Sequence, residues 1–208
     1  MTVPLNVLFL CTHNSARSIL AEALLNHLGQ GRFQGFSAGS SPRPNQQPNA
    51  LGLQVLRDAG IRTDGLNSKS WDVFAAPGAP AMDLIVTVCD NAAGETCPFW
   101  PGNPANAHWG YPDPSAGNAP DSLKLLAFKT TLHALRQRIQ LLVDLPSQRL
   151  QKAALQNTAR ELGHPVAKAG TKEQARQHVA VRAIPRRVIT CANVPWPKPW
   201  APPCCCAR

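Results

Sequence analysis

The feature that most constrains this chain is a short apolar run, residues 6–10 (NVLFL), that passes directly into the polar stretch CTHNSARS and then into RSILAEALLNHLG. The run is too short for a helix and is read as a buried strand. In the stretch that follows, Ile19, Leu20, Ala23, Leu24 and Leu28 fall on one helical face, and Gly29 supplies the stop. A strand that feeds a helix through a loop is the first unit of a parallel α/β sheet.

The rest of the chain repeats that alternation. Strands are expected over residues 33–38, 82–88 and 108–111, and helices over 49–59 and 120–145. The run MDLIVTV at 82–88 is apolar apart from Asp83 and Thr87, as suits a parallel strand covered on both faces. In the long helix Leu123, Leu126, Leu132, Leu135, Ile139 and Leu142 are expected inward. Pro146 ends it, and residues 148–162 read as one more amphipathic helix stopped by Gly163. The expected organisation is a domain over 1–146, an additional helix over 147–163, and a tail over 164–208. The tail crowds Pro195, Pro197, Pro199, Pro202 and Pro203 near its end, next to Cys204, Cys205 and Cys206, and is expected to be disordered.

The net charge of +9 suggests a nucleic-acid partner until its location is considered: residues 164–208 carry +7 of it. A basic tail is not a basic face, so no nucleic acid is expected. No apolar run approaches the ~18 residues of a membrane span. Nor does the start of the chain read as a signal peptide, so a cytoplasmic protein without a membrane partner is expected. In that compartment cysteines serve catalysis, redox chemistry or metals more than structural disulfides. No closely spaced Cys pair lies in the domain, and no structural metal is expected.

The loop Cys11-Thr12-His13-Asn14-Ser15-Ala16-Arg17-Ser18 carries the chemistry. A loop running into a helix N-terminus aims backbone N–H groups at one point, where the helix dipole favours an anion. Arg17 adds a planar fork of donors suited to two oxygens of a tetrahedral oxyanion. The same field is expected to favour the Cys11 thiolate, the nucleophilic form. The plain alternative is a buried Cys at a strand end beside a surface Arg; the strand and helix on either side favour the functional reading.

VLFLCTHNSARSILAEALL closely resembles the first strand, loop and helix of the low-molecular-weight tyrosine phosphatases and of the arsenate reductases built on that fold. SAGS at 37–40 and WDVF at 71–74 look like the same family. The resemblance covers residues 5–145, extends plausibly over 148–163, and gives nothing for the tail. It implies a four-stranded parallel sheet flanked by helices, and a general acid in an Asp-Pro loop, here Asp113 of YPDPS. By itself Pro-Asp-Pro is only turn chemistry.

Two enzymes share such a loop. A phosphatase needs one thiol, whereas a reductase needs electrons, which a relay of thiols supplies. Cys89 follows the 82–88 strand, and Cys97 follows a polar loop after it. VCDNAAGETCPFWP resembles the redox segment of the arsenate reductases, although the thioredoxin-linked members have a shorter gap without Gly94. Ser115 follows the Asp-Pro where phosphatases of this fold carry an aromatic residue. The resemblance therefore implies arsenate as substrate and Cys11, Cys89 and Cys97 as the relay. It implies no tightly bound cofactor, with an external dithiol, thioredoxin or glutaredoxin with glutathione, as reductant. A monomer is expected. Some members hold potassium near the loop, and Asn14, Glu22, Ser37 and Asp72 match those positions. A phosphatase acting through a phosphocysteine is the alternative, and a non-catalytic oxyanion-binding module a third reading.

Overall fold

The computed structural model describes residues 3–94 and 100–163. The sheet has four strands, β1 (Leu5–Cys11), β2 (Phe33–Gly39), β3 (Leu84–Thr87) and β4 (Ala105–His108), in the order β2-β1-β3-β4 and all parallel. The helices are α1 (Arg17–Leu28), α2 (Ala50–Asp58), α3 (Asp72–Ala75), α4 (Asp90–Gly94), α5 (Asp121–Val143) and α6 (Lys152–Gly163), with a 3-10 turn at Ser147–Leu150 before the last.

β1 is central and alternates between two cores. Val7, Phe9 and Cys11 face the larger one with Leu20, Leu24, Leu135 and Ile139; Leu8 and Leu10 face the smaller one with Phe74, Ile85 and Trp100. That is the two-sided burial a central parallel strand requires, and it explains why the run has no polar alternation.

Three local expectations need correction. β4 lies at Ala105–His108, before the expected 108–111. Its inward residues are Ala105 and Ala107, so the period of two is present but carried by small side chains that give little strand signal. In α5, Leu123 and Leu126 are 57% and 61% exposed. At 100° per residue Leu123 lies about 140° from Phe128, and Leu126 about 120° from Leu132, so neither is in phase with the buried stripe. Leu125 packs inward instead. Finally, residues 90–94, expected in a polar loop, start the helix α4, and α3 with its four residues is too short to show a helical period.

α6 contributes Leu155 and Ala159 to the larger core. The Trp109 indole Nε1 donates to the Ala159 carbonyl at 2.9 Å, which satisfies the polar end of a fully buried ring. Residues 164–208, including the expected disordered tail and Cys204 to Cys206, lie outside the described residues, as does Cys97.

Candidate active site

β1 ends at Cys11 and α1 begins at Arg17, so the five residues between them form a tight strand-to-helix loop. Several contacts fix its path. Asn14 takes a left-handed φ of 50°, which Asn tolerates better than most residues. The Ser40 amide donates to the Cys11 carbonyl at 3.1 Å and the Ser41 amide to the Thr12 carbonyl at 2.9 Å. The loop lies directly on the end of β2: a Cβ at Gly39 would stand 2.7 Å from the Thr12 oxygen and 3.0 Å from the Asn14 nitrogen.

Asn14 is fully buried and every polar group of its side chain is used. Nδ2 donates to Ser18 Oγ at 2.9 Å and to Ser37 Oγ at 2.8 Å, and Oδ1 accepts from the Lys69 amide at 2.8 Å. Ser68 Oγ donates to the Asn14 carbonyl at 2.6 Å. These bonds set the direction of the next ones. Ser18 accepts from Asn14, so its own hydrogen is free for Cys11 Sγ, 2.9 Å away. The Asn14 amide also donates to that sulfur, at 3.1 Å. Ser37, likewise an acceptor from Asn14, donates to the Glu22 carboxylate.

Burial pushes the Cys11 thiol above its ordinary value. The Ser18 hydroxyl, the Ser18 amide and the Asn14 amide oppose that, and the neighbouring Cys89 adds to it. The expected lowering is therefore not the net result: the donors at the sulfur offset only part of its desolvation.

Arg17 reaches from the first turn of α1 across to the segment after β4. One nitrogen of its fork donates to the Tyr111 carbonyl at 2.9 Å, and the other meets Asp113 Oδ2 at 3.2 Å. The Arg138 guanidinium lies 4.8 Å over the Tyr111 ring and steadies that segment. Arg17 Nε is buried without a protein partner, and the N-cap of α1, Ala16, has no side chain to cap the first-turn amides. A buried guanidinium donor and an uncapped helix terminus at one place suit a tetrahedral oxyanion. Asp113 is held by Ser115, whose amide and hydroxyl donate to Oδ1 at 2.9 and 2.7 Å. Burial pushes the Asp113 carboxyl up, but Ser115, Arg17 and His13 outweigh it and hold it below its ordinary value.

Cys89, buried like Cys11, stands just past the end of β3. β1 and β3 are neighbours in register, Leu10 opposite Thr87, so both thiols leave the carboxyl edge of the sheet side by side. Thr12 Oγ1 is 3.6 Å from Cys89 Sγ, which ties the second cysteine to the loop of the first. The mouth of the loop opens into a cleft of about 410 Å3 lined by His13, Arg43, Gln46, Asn49, Asp113 and Ser115, with no aromatic wall.

Of the four residues matched to a potassium site, Asn14, Glu22 and Ser37 are joined by hydrogen bonds. Asp72 is not: its carboxylate accepts from Ser70 Oγ at 2.8 Å. The Lys69 ammonium stands 4.0 Å from the Glu22 carboxylate, so a cation is already provided by the chain. Burial pushes Glu22 up and Lys69 down, and each partner opposes the shift of the other. Sequence reasoning missed Lys69 and the carboxylate-orienting part of Ser115; only the Asp-x-Ser spacing, a side-chain turn, hinted at the latter. Among the described residues no group of three or more His, Cys, Asp or Glu gathers that would hold a metal ion.

A thiol at the end of a central parallel strand, with an Arg fork and an Asp facing it, is the site of one phosphatase-like class. The chain matches the family described as low molecular weight phosphotyrosine protein phosphatase over residues 6–158, and it belongs to that family. Arsenate reductases are among its relatives. It is 31% identical to the arsenate reductase of Bacillus licheniformis over 135 residues, 64% of this chain and 91% of that one. It also superposes on the arsenate reductase of Archaeoglobus fulgidus with a TM-score of 0.51 and 26% identity, covering 67% of this chain and 99% of the other. The tyrosine phosphatase Wzb from Escherichia coli K30 in complex with sulphate shares the fold, with a TM-score of 0.53 and 20% identity over 67% of this chain and 96% of the other. Family and relatives together make this an enzyme that acts on arsenate or phosphate.

Proposed function

We propose that the protein reduces arsenate to arsenite through a relay of thiols that begins at Cys11. The oxyanion docks in the loop, with Arg17 Nε and the first-turn amides of α1 as donors. An arriving dianion competes with Asp113 for the Arg17 guanidinium. The added negative charge raises the affinity of Asp113 for a proton, and the dianion itself is a base for the Cys11 thiol proton. The Cys11 thiolate attacks arsenic, and Asp113 protonates the departing oxygen, which leaves as water.

Cys89 then attacks the Cys11 sulfur. The S–S bond forms as the S–As bond breaks, and the bonding pair stays on arsenic, taking it from As(V) to As(III). Cys97 attacks Cys89, frees Cys11 and leaves a Cys89–Cys97 disulfide for an external dithiol protein. Thioredoxin is the expected donor, with glutaredoxin and glutathione as the other route. Such a cycle belongs in a reducing cytoplasm, and nothing in it requires more than one copy of the chain.

The observation that supports this reading over simple hydrolysis is Cys89 beside the loop, within reach of Thr12. A phosphatase has no use for a second buried thiol there. The phosphatase reading keeps the support of the shared Cys11, Arg17 and Asp113 set, and slow hydrolysis of small phosphate monoesters is expected as a side activity. The deciding experiment is arsenate-dependent NADPH oxidation with the thioredoxin or the glutaredoxin system supplied in turn. Turnover with either supports reduction. No turnover with both, alongside brisk aryl phosphate hydrolysis, sinks it.

A further inference from the structure

One polar cluster lies outside the oxyanion loop and is not used by the chemistry above. Thr87 ends β3, His108 ends β4, and the register places them opposite each other. Thr87 Oγ1 and His108 Nδ1 are 2.8 Å apart, and His108 Nε2 is 3.0 Å from Asp90 Oδ1. An ionised carboxylate only accepts, so Nε2 carries the hydrogen in that pair. Asp90 is the residue after Cys89 and the first of α4.

The surroundings are shaped to this pair. A Cβ at Gly110 would stand 2.6 Å from Asp90 Oδ1 and 3.0 Å from His108 Nε2, so the two side chains lie against bare backbone. A Cβ at Gly163 would come within 2.2 Å of the His108 carbonyl oxygen, so the end of α6 closes on the backbone of the same residue. The imidazole is thus held by its strand, by a hydroxyl and by a carboxylate.

We propose that His108 is a positioning residue for Cys89, acting through Asp90 on the first turn of α4. This rests on the reading of Cys89 as the second thiol of the relay. α4 starts at Asp90, and no turn of helix precedes that residue to hold it. Yet the Cys89 sulfur depends on it, since the Ala92 amide of α4 points at Cys89 Sγ from 3.4 Å. Pinning Asp90 keeps the start of that helix, and with it the sulfur, aligned for attack on Cys11. Alignment of the two sulfurs is what the disulfide-forming step needs most. The side chains of the pair are 42% (His108) and 87% (Asp90) exposed, so its loss falls on local alignment rather than on global stability.

The test uses the full chain and single-turnover conditions. Reduced protein carrying Cys97→Ser, in which the Cys11–Cys89 disulfide persists, is mixed with saturating arsenate without external reductant, and that disulfide is followed by rapid quench, thiol alkylation and peptide mass spectrometry. The rate of Cys11 alkylation by iodoacetamide reads the state of the loop in parallel. His108→Phe is expected to slow disulfide formation about fivefold, the scale of one lost exposed hydrogen-bonded pair. The arsenate concentration for half-maximal rate and the alkylation of Cys11 stay unchanged. His108→Gln, which keeps a donor near the Nε2 position, recovers most of the rate. Asp90→Asn slows the step similarly and adds nothing in the His108→Phe background. If His108→Phe folds poorly, the exposed Asp90→Asn carries the comparison alone. Disulfide formation at the rate of the Cys97→Ser parent in these variants overturns the proposal, as does a parallel fall in Cys11 alkylation. If the Cys97→Ser parent itself forms no Cys11–Cys89 disulfide, the relay is wrong and this role goes with it.

Discussion

Asn14 donates one amide hydrogen to Ser18 at 2.9 Å, which leaves the Ser18 hydroxyl hydrogen free to point at the Cys11 sulfur 2.9 Å away. The Cys11 sulfur is therefore tuned from a buried residue that touches it only through its backbone. The consequence is measurable. Ser18→Ala removes the strongest of the groups that oppose the upward push of burial on Cys11. The thiol then titrates higher still, and the thiolate fraction at any fixed neutral pH falls. The pH profile of Cys11 alkylation is expected to shift to higher pH, with a slowing at pH 7 of about tenfold, the worth of one strong hydrogen bond to a charged group. An unshifted profile contradicts this account of the loop.

The fold and the loop were legible in the sequence because their signals are local. An apolar run, a helical stripe and a Cys-to-Arg spacing each lie within a few adjacent residues. What was not legible depends on residues distant in the chain. Lys69 is 47 positions from Glu22 and is brought to it only because the segment before α3 bridges to Gly39 at the end of β2. β4 was displaced in the sequence reading because alanines, not branched residues, fill its inward positions. For Ser115 the sequence shows only a missing aromatic residue and an Asp-x-Ser spacing; that its hydroxyl holds Asp113 requires coordinates to be seen.

Lys69 beside Glu22 bears on the expected potassium dependence. With an ammonium already 4.0 Å from that carboxylate, activity and melting temperature are expected to be the same in sodium and potassium salts. Lys69→Met leaves Glu22 buried with only Ser37, so its carboxyl rises further and the link to Asn14 weakens. That variant should lose about 1–3 kcal/mol of stability, measured by urea unfolding. A clear potassium activation of the wild-type protein would show that a metal ion is held at this position after all.

Cys97 separates reductase from phosphatase. In a relay, Cys97→Ser removes only the last exchange. One arsenite per enzyme is expected, followed by arrest as a Cys11–Cys89 disulfide. Cys89→Ser should give less and Cys11→Ser none. Arsenite counted per enzyme in a coupled thioredoxin assay is the measurement; sustained turnover by Cys97→Ser would point to a glutathione route through the first two thiols.

The end of the chain offers a contrast in truncation. A protein that stops at Gly163 retains α6 and is expected to unfold and turn over as the full chain does. One that stops at Gln151 loses Leu155 and Ala159 from the core and leaves the Trp109 indole without its acceptor. A loss of more than about 3 kcal/mol is expected there, from burial and the orphaned donor together. Equal denaturation midpoints for the two truncations would show α6 to be dispensable.

The neighbouring carboxyl edges of β1 and β3 have a further effect on the cross-linked forms. Cys11 and Cys89 lie nearly eighty residues apart in the chain, yet a shared sheet holds them within reach of each other. A disulfide between them ties a long loop in any unfolded ensemble, whereas one between Cys89 and Cys97 ties only a short one. By chain entropy the first cross-link restrains the denatured chain more, by about 2 kcal/mol. Each catalytic cycle would thus pass through its most unfolding-resistant covalent form midway and relax from it as the third thiol takes over, so a population arrested at that point would stand out as the last to melt.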